Sequence, residues 1–153
     1  MTVKSVQKHI EEAGLDLEII KMNTSTATVE LAAKALGVEP ARIAKTMAMR
    51  LKDRDILIIT KGDMRIDNRK FKDCFKEKAK FIKMEEIEEA TGHPIGGVCP
   101  FGLAKPLNIY LDISLKEFDY VYPAGGSPNT CIKVGVDYLS EITEGIWIDV
   151  CKA

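Results

Sequence analysis

Apolar positions along this chain recur with two different periods, and the switches between them mark out the elements. Val3, Val6, Ile10 and Ala13 keep helical spacing and Gly14 stops the run. Leu17–Met22 is short and rich in Ile and Leu, and reads as a strand. The threonine-rich stretch Thr24-Ser25-Thr26-Ala27-Thr28 offers N-caps for a helix that places Val29, Ala32, Ala33 and Leu36 on one face. Gly37 and Pro40 close that helix. Ile43–Leu51 and Ile56–Thr60 are strand-like runs on either side of Lys52-Asp53-Arg54-Asp55, a polar linker of hairpin length.

Asp67–Phe75 predicts a helix with Phe71, Cys74 and Phe75 facing inward. Met84–Thr91 predicts another, stopped by Gly92 and Pro94. Beyond it come short strands at Asn108–Asp112, Tyr120–Pro123, Thr130–Val134 and Ile146–Val150, with a helix at Asp137–Ile142 before the last. Strands and helices are mixed without the regular alternation of a doubly wound parallel sheet. The expectation is one α+β domain spanning residues 1–153, with a mixed, strongly curved or barrel-like sheet and surrounding helices.

Composition narrows the function. With 153 residues, 46% apolar and 29% charged, the chain has the balance of an ordinary globular domain. Met1-Thr2-Val3-Lys4-Ser5 leads into charged, helix-like sequence with no hydrophobic signal segment, and no run approaches the ~18 apolar residues of a membrane helix. A cytoplasmic protein that does not engage membranes is expected. Lys and Arg number 22 against 23 Asp and Glu, which disfavours broad binding to DNA or other long nucleic acid. One stretch is locally basic: Lys70, Lys72, Lys76, Lys78, Lys80 and Lys83, interleaved with Phe71, Phe75 and Phe81. As a charge run it reads first as a solvated helix face. Cys74, Cys99, Cys131 and Cys151 form no Cys-x-x-Cys pair, and His9 and His93 add little, so no metal site is expected.

Three segments carry candidate chemistry. On a strand, Ile43, Lys45, Met47, Met49 and Leu51 share a face, so Lys45 is an ammonium in register with apolar residues. It points into the interior or a pocket, or snorkels from a strand end, or the strand starts only at Thr46. The second segment, Thr91–Gly102, holds four glycines and two prolines in twelve residues. Its bare backbone either cradles an anion or developing oxyanion, or simply connects a helix to a strand. The third, Tyr122–Thr130, is a glycine-rich turn between strands. No Gly-x-Ser-x-Gly elbow is present. His93 has nothing to orient it as a base, and Cys99 has no neighbour that would stabilise a thiolate.

Thr28–Gly37 (TVELAAKALG), Ile43–Met47 (IAKTM), Thr91–Leu103 (TGHPIGGVCPFGL) and Ala124–Gly126, in this order and spacing, resemble the YbaK family, the editing domain associated with prolyl-tRNA synthetase. The resemblance implies a mixed, barrel-like sheet and hydrolysis of the ester between a mischarged amino acid and tRNA, in trans when the domain is free-standing. It implies no cofactor and no metal. Lys45 matches the family lysine and would anchor the 3′-terminal adenosine or its phosphate. Gly96, Gly97 and Pro100 match the family loop, whose amides would polarise the carbonyl.

By the same resemblance, Thr28, Thr46, Val98, Cys99, Pro100, Ala124, Gly125 and Cys131 would line the substrate pocket. Cysteine-releasing relatives use the substrate's own thiol. They carry an aromatic residue, a serine and an acidic residue where this chain has Thr28, Ala124 and Cys131. Alanine, cysteine or another small residue on tRNA(Pro) is therefore the expected substrate, with prolyl-tRNA synthetase as an expected partner. The competing expectation is a module that binds tRNA 3′ ends, nucleotides or a synthetase without turnover, which the same lysine and amide loop would serve.

Overall fold

The computed structural model describes residues 2–153; Met1, where the sequence reading begins, lies outside the described residues. Among the described residues, five α-helices run Thr2–Glu12 (α1), Val29–Leu36 (α2), Asn68–Phe75 (α3), Ile87–Thr91 (α4) and Val136–Thr143 (α5). Ten strands among the same residues run Ile19–Lys21 (β1), Ile43–Arg50 (β2), Asp55–Lys61 (β3), Arg65–Ile66 (β4), Asn108–Asp112 (β5), Tyr120–Pro123 (β6), Thr130–Ile132 (β7), Val134–Gly135 (β8), Ile146–Ile148 (β9) and Cys151–Lys152 (β10).

Local chemistry sets the helix ends. Thr28 Oγ1 accepts the Leu31 N–H at 3.2 Å, and Gly37 closes α2 at φ 70° with its N–H on Ala33 O. Asp67 caps α3 by accepting the amides of Arg69 and Lys70. Val6 and Ile10 bury the inner stripe of α1, as their spacing requires.

Six strands form a strongly curled mixed sheet in the order β8-β6-β2-β3-β5-β9. β2 and β3 are an antiparallel hairpin; β3–β5, β5–β9 and β2–β6 are parallel, and β6–β8 is antiparallel. Central β3 is covered on both faces, and Ile56, Leu57, Ile58 and Ile59 are all fully buried. The hairpin is closed by Arg50, whose guanidinium bonds Asp55 at 2.8 Å and Glu86 at 2.7 Å. Both carboxyls are held below their ordinary range, chiefly by that hydrogen bonding. The chain thus adopts the α+β, curled-sheet architecture expected from its pattern.

The details depart from the sequence expectation in several places. Cys74 is exposed, because two turns of α3 give only one buried stripe, and Phe71 with Phe75 one turn later fill it. The expected strand Thr130–Val134 is two strands interrupted at Lys133, where the chain leaves β1 (paired to β7) for β6 (paired to β8). The helix expected from Met84 starts as a 3₁₀ turn, Met84–Glu86, and becomes α-helical only at Ile87. The lysine-rich stretch is not one helix face either: α3 ends at Phe75, and Lys76 takes φ 62°.

Candidate active site

The site is built around a gap in one strand's edge. β6 pairs with β2 only at Ile43↔Tyr122 and Ala44↔Pro123. Further along the same strand, Arg50 N–H bonds Lys80 O at 2.8 Å, Ile82 N–H bonds Ala48 O at 3.0 Å, and Met49 bridges Phe81. Between these two partners, Lys45–Met47 has no neighbouring strand on that edge among the described residues. A cavity of about 370 Å³ opens there.

Its wall is made of small and apolar side chains: Ala27, Ala32, Ala44, Ala124 and Cys131, with Ile43, Val98 and Tyr122. Lys45 and Thr46 supply the polar groups from β2, and Thr26 and Thr28 supply those from the segment that enters α2. Lys45 sits between two packed groups, one of Ile43, Ala32, Ala33 and Cys131, the other of Met47, Met49, Phe71 and Tyr110. It is half-buried, and its Nζ donates to Met64 O. Burial pulls its pKa below the usual lysine value; Cys151, Glu30 and Asp63 oppose that only in part. On the alternate register Thr46 Oγ1 is buried with no hydrogen-bond partner among the described residues. An unsatisfied buried hydroxyl costs about 1–3 kcal/mol.

The glycine loop reaches the cavity through Gly96 and Val98. Pro94–Gly97 is a tight turn with the Gly97 N–H on Pro94 O at 3.0 Å and Gly96 at φ 85°, the type II pattern that favours glycine at its third position. The Gly97 amide is therefore already engaged, whereas those of Gly96 and Val98 find no acceptor among the described residues. Gly97 serves a close approach instead: a Cβ there would lie 2.6 Å from the Ser127 backbone nitrogen. The two glycine-rich segments singled out in the sequence thus pack backbone to backbone. Thr26 N–H on Pro128 O (2.6 Å) and Gly125 N–H on Thr130 O (3.0 Å) fix the second of them.

Of the residues expected at the site, Lys45, Gly96, Thr28, Thr46, Val98, Ala124 and Cys131 are brought together around the cavity. Gly97, Cys99, Pro100 and Gly125 do not line it. Gly125 is buried in its turn, where a Cβ would crowd Thr130 Oγ1 at 2.9 Å. Pro100 borders a separate hollow beside His9 of α1. Cys99 is fully buried, with its Sγ directed at Phe101 O (3.5 Å), and burial pushes its thiol up to about 12. His93 is equally buried and does not line the cavity; its Nε2 is bonded to Phe101 O at 2.7 Å and lies 3.7 Å from Cys99 Sγ, so the histidine that the sequence left apart from Cys99 is its neighbour in the core. Sequence reasoning missed Ala27, Ala32, Tyr122 and the rim residues Phe81, Met84 and Ile95. The signal for the rim was available: large apolar residues isolated in polar or glycine-rich stretches.

These burials give a direct expectation. Alkylation of the native protein at neutral pH should modify Cys74 alone among the four cysteines, since Cys99, Cys131 and Cys151 are at most 2% exposed. Peptide mass mapping after iodoacetamide treatment checks it; rapid labelling of Cys99 would contradict the burial.

The cavity is mostly apolar and is lined by one lysine and by two loop residues whose amides have no acceptor among the described residues, a composition suited to a compact ligand with an anionic or carbonyl group. The chain belongs to the aminoacyl-tRNA editing domain family, whose model matches residues 23–142. It is 46% identical to the uncharacterised protein YwhH of Bacillus subtilis (strain 168), over 99% of this chain and 98% of that one. It is 34% identical over 93 residues to a proline–tRNA ligase of Bacillus licheniformis, a match covering 60% of this chain and 16% of the ligase. The crystal structure of a candidate trans-editing enzyme for prolyl tRNA synthetase superposes with a TM-score of 0.91 at 29% identity, covering 99% of this chain and 98% of that one. No helix among the described residues is long and apolar enough to cross a membrane.

Proposed function

We propose that this chain is an aminoacyl-tRNA deacylase that acts in trans in the cytoplasm, releasing a small amino acid such as alanine or cysteine from mischarged tRNA(Pro). The observation that carries the reading is the gap in β2, where Lys45 and Thr46 of the open strand edge and Gly96 and Val98 of the glycine loop line one cavity, and the Gly96 and Val98 amides have no acceptor among the described residues. Family membership and the likeness to proline–tRNA ligases support the same chemistry.

In this mechanism Lys45 holds the 3′-terminal adenosine or its phosphate, which places the ester at the cavity mouth. The unengaged amides of Gly96 and Val98 stabilise the oxyanion as it forms, a task the Gly97 amide cannot share while it is bonded to Pro94 O. A water oxygen bonds to the carbonyl carbon, the ester C–O bond breaks, and the proton passes to the departing ribose oxygen. No histidine or carboxylate lines the cavity among the described residues, so the reaction relies on a positioned water and the neighbouring ribose hydroxyl. Cysteine would supply its own thiol. With the tRNA end occupying part of the cavity, the space left for the amino acid would favour a small side chain, the coarse selection that double-sieve editing needs.

That absence of a lining base equally suits a module that holds the tRNA end without turnover. Incubation with a panel of aminoacyl-tRNAs separates the two: release of alanine or cysteine with retention of large residues is expected. Binding without release from any of them would establish the module instead. Activity should also survive prolonged chelation and dialysis, because no three His, Cys, Asp or Glu side chains come together to hold a metal ion among the described residues. Activity lost on chelation and restored specifically by zinc would contradict that expectation.

A further inference from the structure

We infer that Phe81 and the lysine-lined groove leading to it form a track for the single-stranded 3′ end of an RNA, with Phe81 as a stacking platform for an unpaired base at the cavity mouth. This rests on the editing function proposed above and adds the surface that delivers the substrate to the site.

Phe81 is 54% exposed, the one aromatic among the large hydrophobic residues that stand exposed among the described residues. Met84 and Ile95, at 68% and 51%, stand with it on the rim of the same cavity. Exposing three large apolar side chains around one opening is costly unless something covers them. The segment carrying Phe81 is also rigid. The Lys80 carbonyl and Ile82 amide are hydrogen bonded to β2, and Phe81, held between them, stands exposed while Ile82 is buried. Its ring makes no ring–ring contact among the described residues.

Charge identifies the occupant. A groove of about 650 Å³ runs up to this segment, lined by Lys52, Lys72, Lys76, Lys78 and Lys80. None of these lysines is paired with a carboxylate among the described residues, whereas Lys61 and Lys70 are. The one acid in the groove, Glu77, is turned in to accept the Lys52 N–H at 2.8 Å. Along 76–80, Lys76, Lys78 and Lys80 are exposed while Glu77 and Ala79 are half-buried, so the lysines are the solvent-facing residues of the segment. Lys80 lines the groove and Phe81, the next residue, lines the cavity. A row of cations ending in an exposed aromatic at a substrate cavity matches a strand with a phosphate per residue and a stackable face per base. With a net charge of −1 on the whole chain, this concentration is local and suits a short single strand rather than a long duplex.

The test measures binding of two RNA hairpins to the full chain across a salt series: an acceptor stem ending in unpaired CCA, and the same stem cut blunt. Phe81→Ala should bind the CCA hairpin about tenfold more weakly, Phe81→Trp should restore binding, and the blunt hairpin should not distinguish them. Lys78→Gln with Lys80→Gln should reduce the slope of log affinity against log salt by about 1.4, two single-strand contacts' worth. Equal affinity of wild type and Phe81→Ala for the CCA hairpin overturns the inference. So does a loss that is identical on the blunt hairpin. If Phe81→Ala instead loses only binding to purified prolyl-tRNA synthetase, the rim belongs to a protein partner and the inference fails. Deacylation by the same variants separates the two proposals. A wild type that releases no amino acid yet binds CCA through Phe81 removes the editing function and keeps the track. A wild type that deacylates with a KM unmoved by Phe81→Ala keeps the function and removes the track.

Discussion

Gly96→Ala should lower the deacylation rate by about 100- to 1000-fold while the protein remains folded. That is the magnitude typical of losing one preorganised oxyanion donor. The expectation follows from two constraints at one residue. Gly96 has φ 85°, which an alanine adopts only with strain, and an added Cβ would stand 2.9 Å from the Ala27 Cβ. The turn would relax away from the segment entering α2 and carry the Gly96 and Val98 amides with it. Cys99→Ala, three residues on, should change the rate little, since its thiol lies in the core and stays protonated at neutral pH. Gly97→Ala should fail differently, by destabilising the fold, because its Cβ would meet the Ser127 backbone at 2.6 Å. Single-turnover rates with matched circular dichroism and melting curves distinguish these outcomes. An inactive Cys99→Ala beside an active Gly96→Ala would mean a covalent thiol mechanism.

The second large effect is expected at Lys45. Lys45→Ala should reduce kcat/KM by at least about tenfold, equivalent to ~1.4 kcal/mol of transition-state stabilisation. Stability should be unchanged or higher. Burial lowers the folded pKa of Lys45 below its unfolded value, so the protonated side chain opposes folding at neutral pH. That opposition fades only as pH rises through the folded pKa, and the alanine variant lacks it altogether. The ammonium itself is lost over the same rise. Enzymatic deacylation, corrected for spontaneous ester hydrolysis, should therefore decline on the alkaline side at a pH below the usual lysine range. A well-folded Lys45→Ala protein with wild-type kcat/KM would remove Lys45 from the site.

Prolyl-tRNA synthetase as a partner and tRNA(Pro) as the carrier remain proposals that the same assays address. The chain spans 16% of the Bacillus licheniformis ligase it resembles, and a deacylase acting in trans, as proposed above, finds its tRNA through its own surface. That need gives the Lys72–Phe81 surface a consequence for selectivity. Weakening it should cost more with full-length tRNA substrates than changes to the cavity wall, which act on the amino acid.

What the sequence determined by itself is what is written within a few residues. Thr28 and Gly37 bracket α2 because a hydroxyl cap and a left-handed residue are local requirements. Ile56–Thr60 announced a strand, and the parity of Ile43–Leu51 put Lys45 in register with apolar residues, where the structure has it. The resemblance carried by the lysine and the glycine loop was legible for the same reason. Tertiary structure alone decided which residues share the cavity. Gly96 and Gly97 are adjacent, yet one borders the cavity and the other packs on Ser127, because a turn sends successive groups in different directions. Cys99, Pro100 and Gly125 fell outside for the same reason. Phe81 became part of the rim only because its segment takes over the edge of β2 that β6 leaves after Ala44. Such a gap depends on strands far apart in sequence, and short-range periodicity carries no record of which edge stays unpaired.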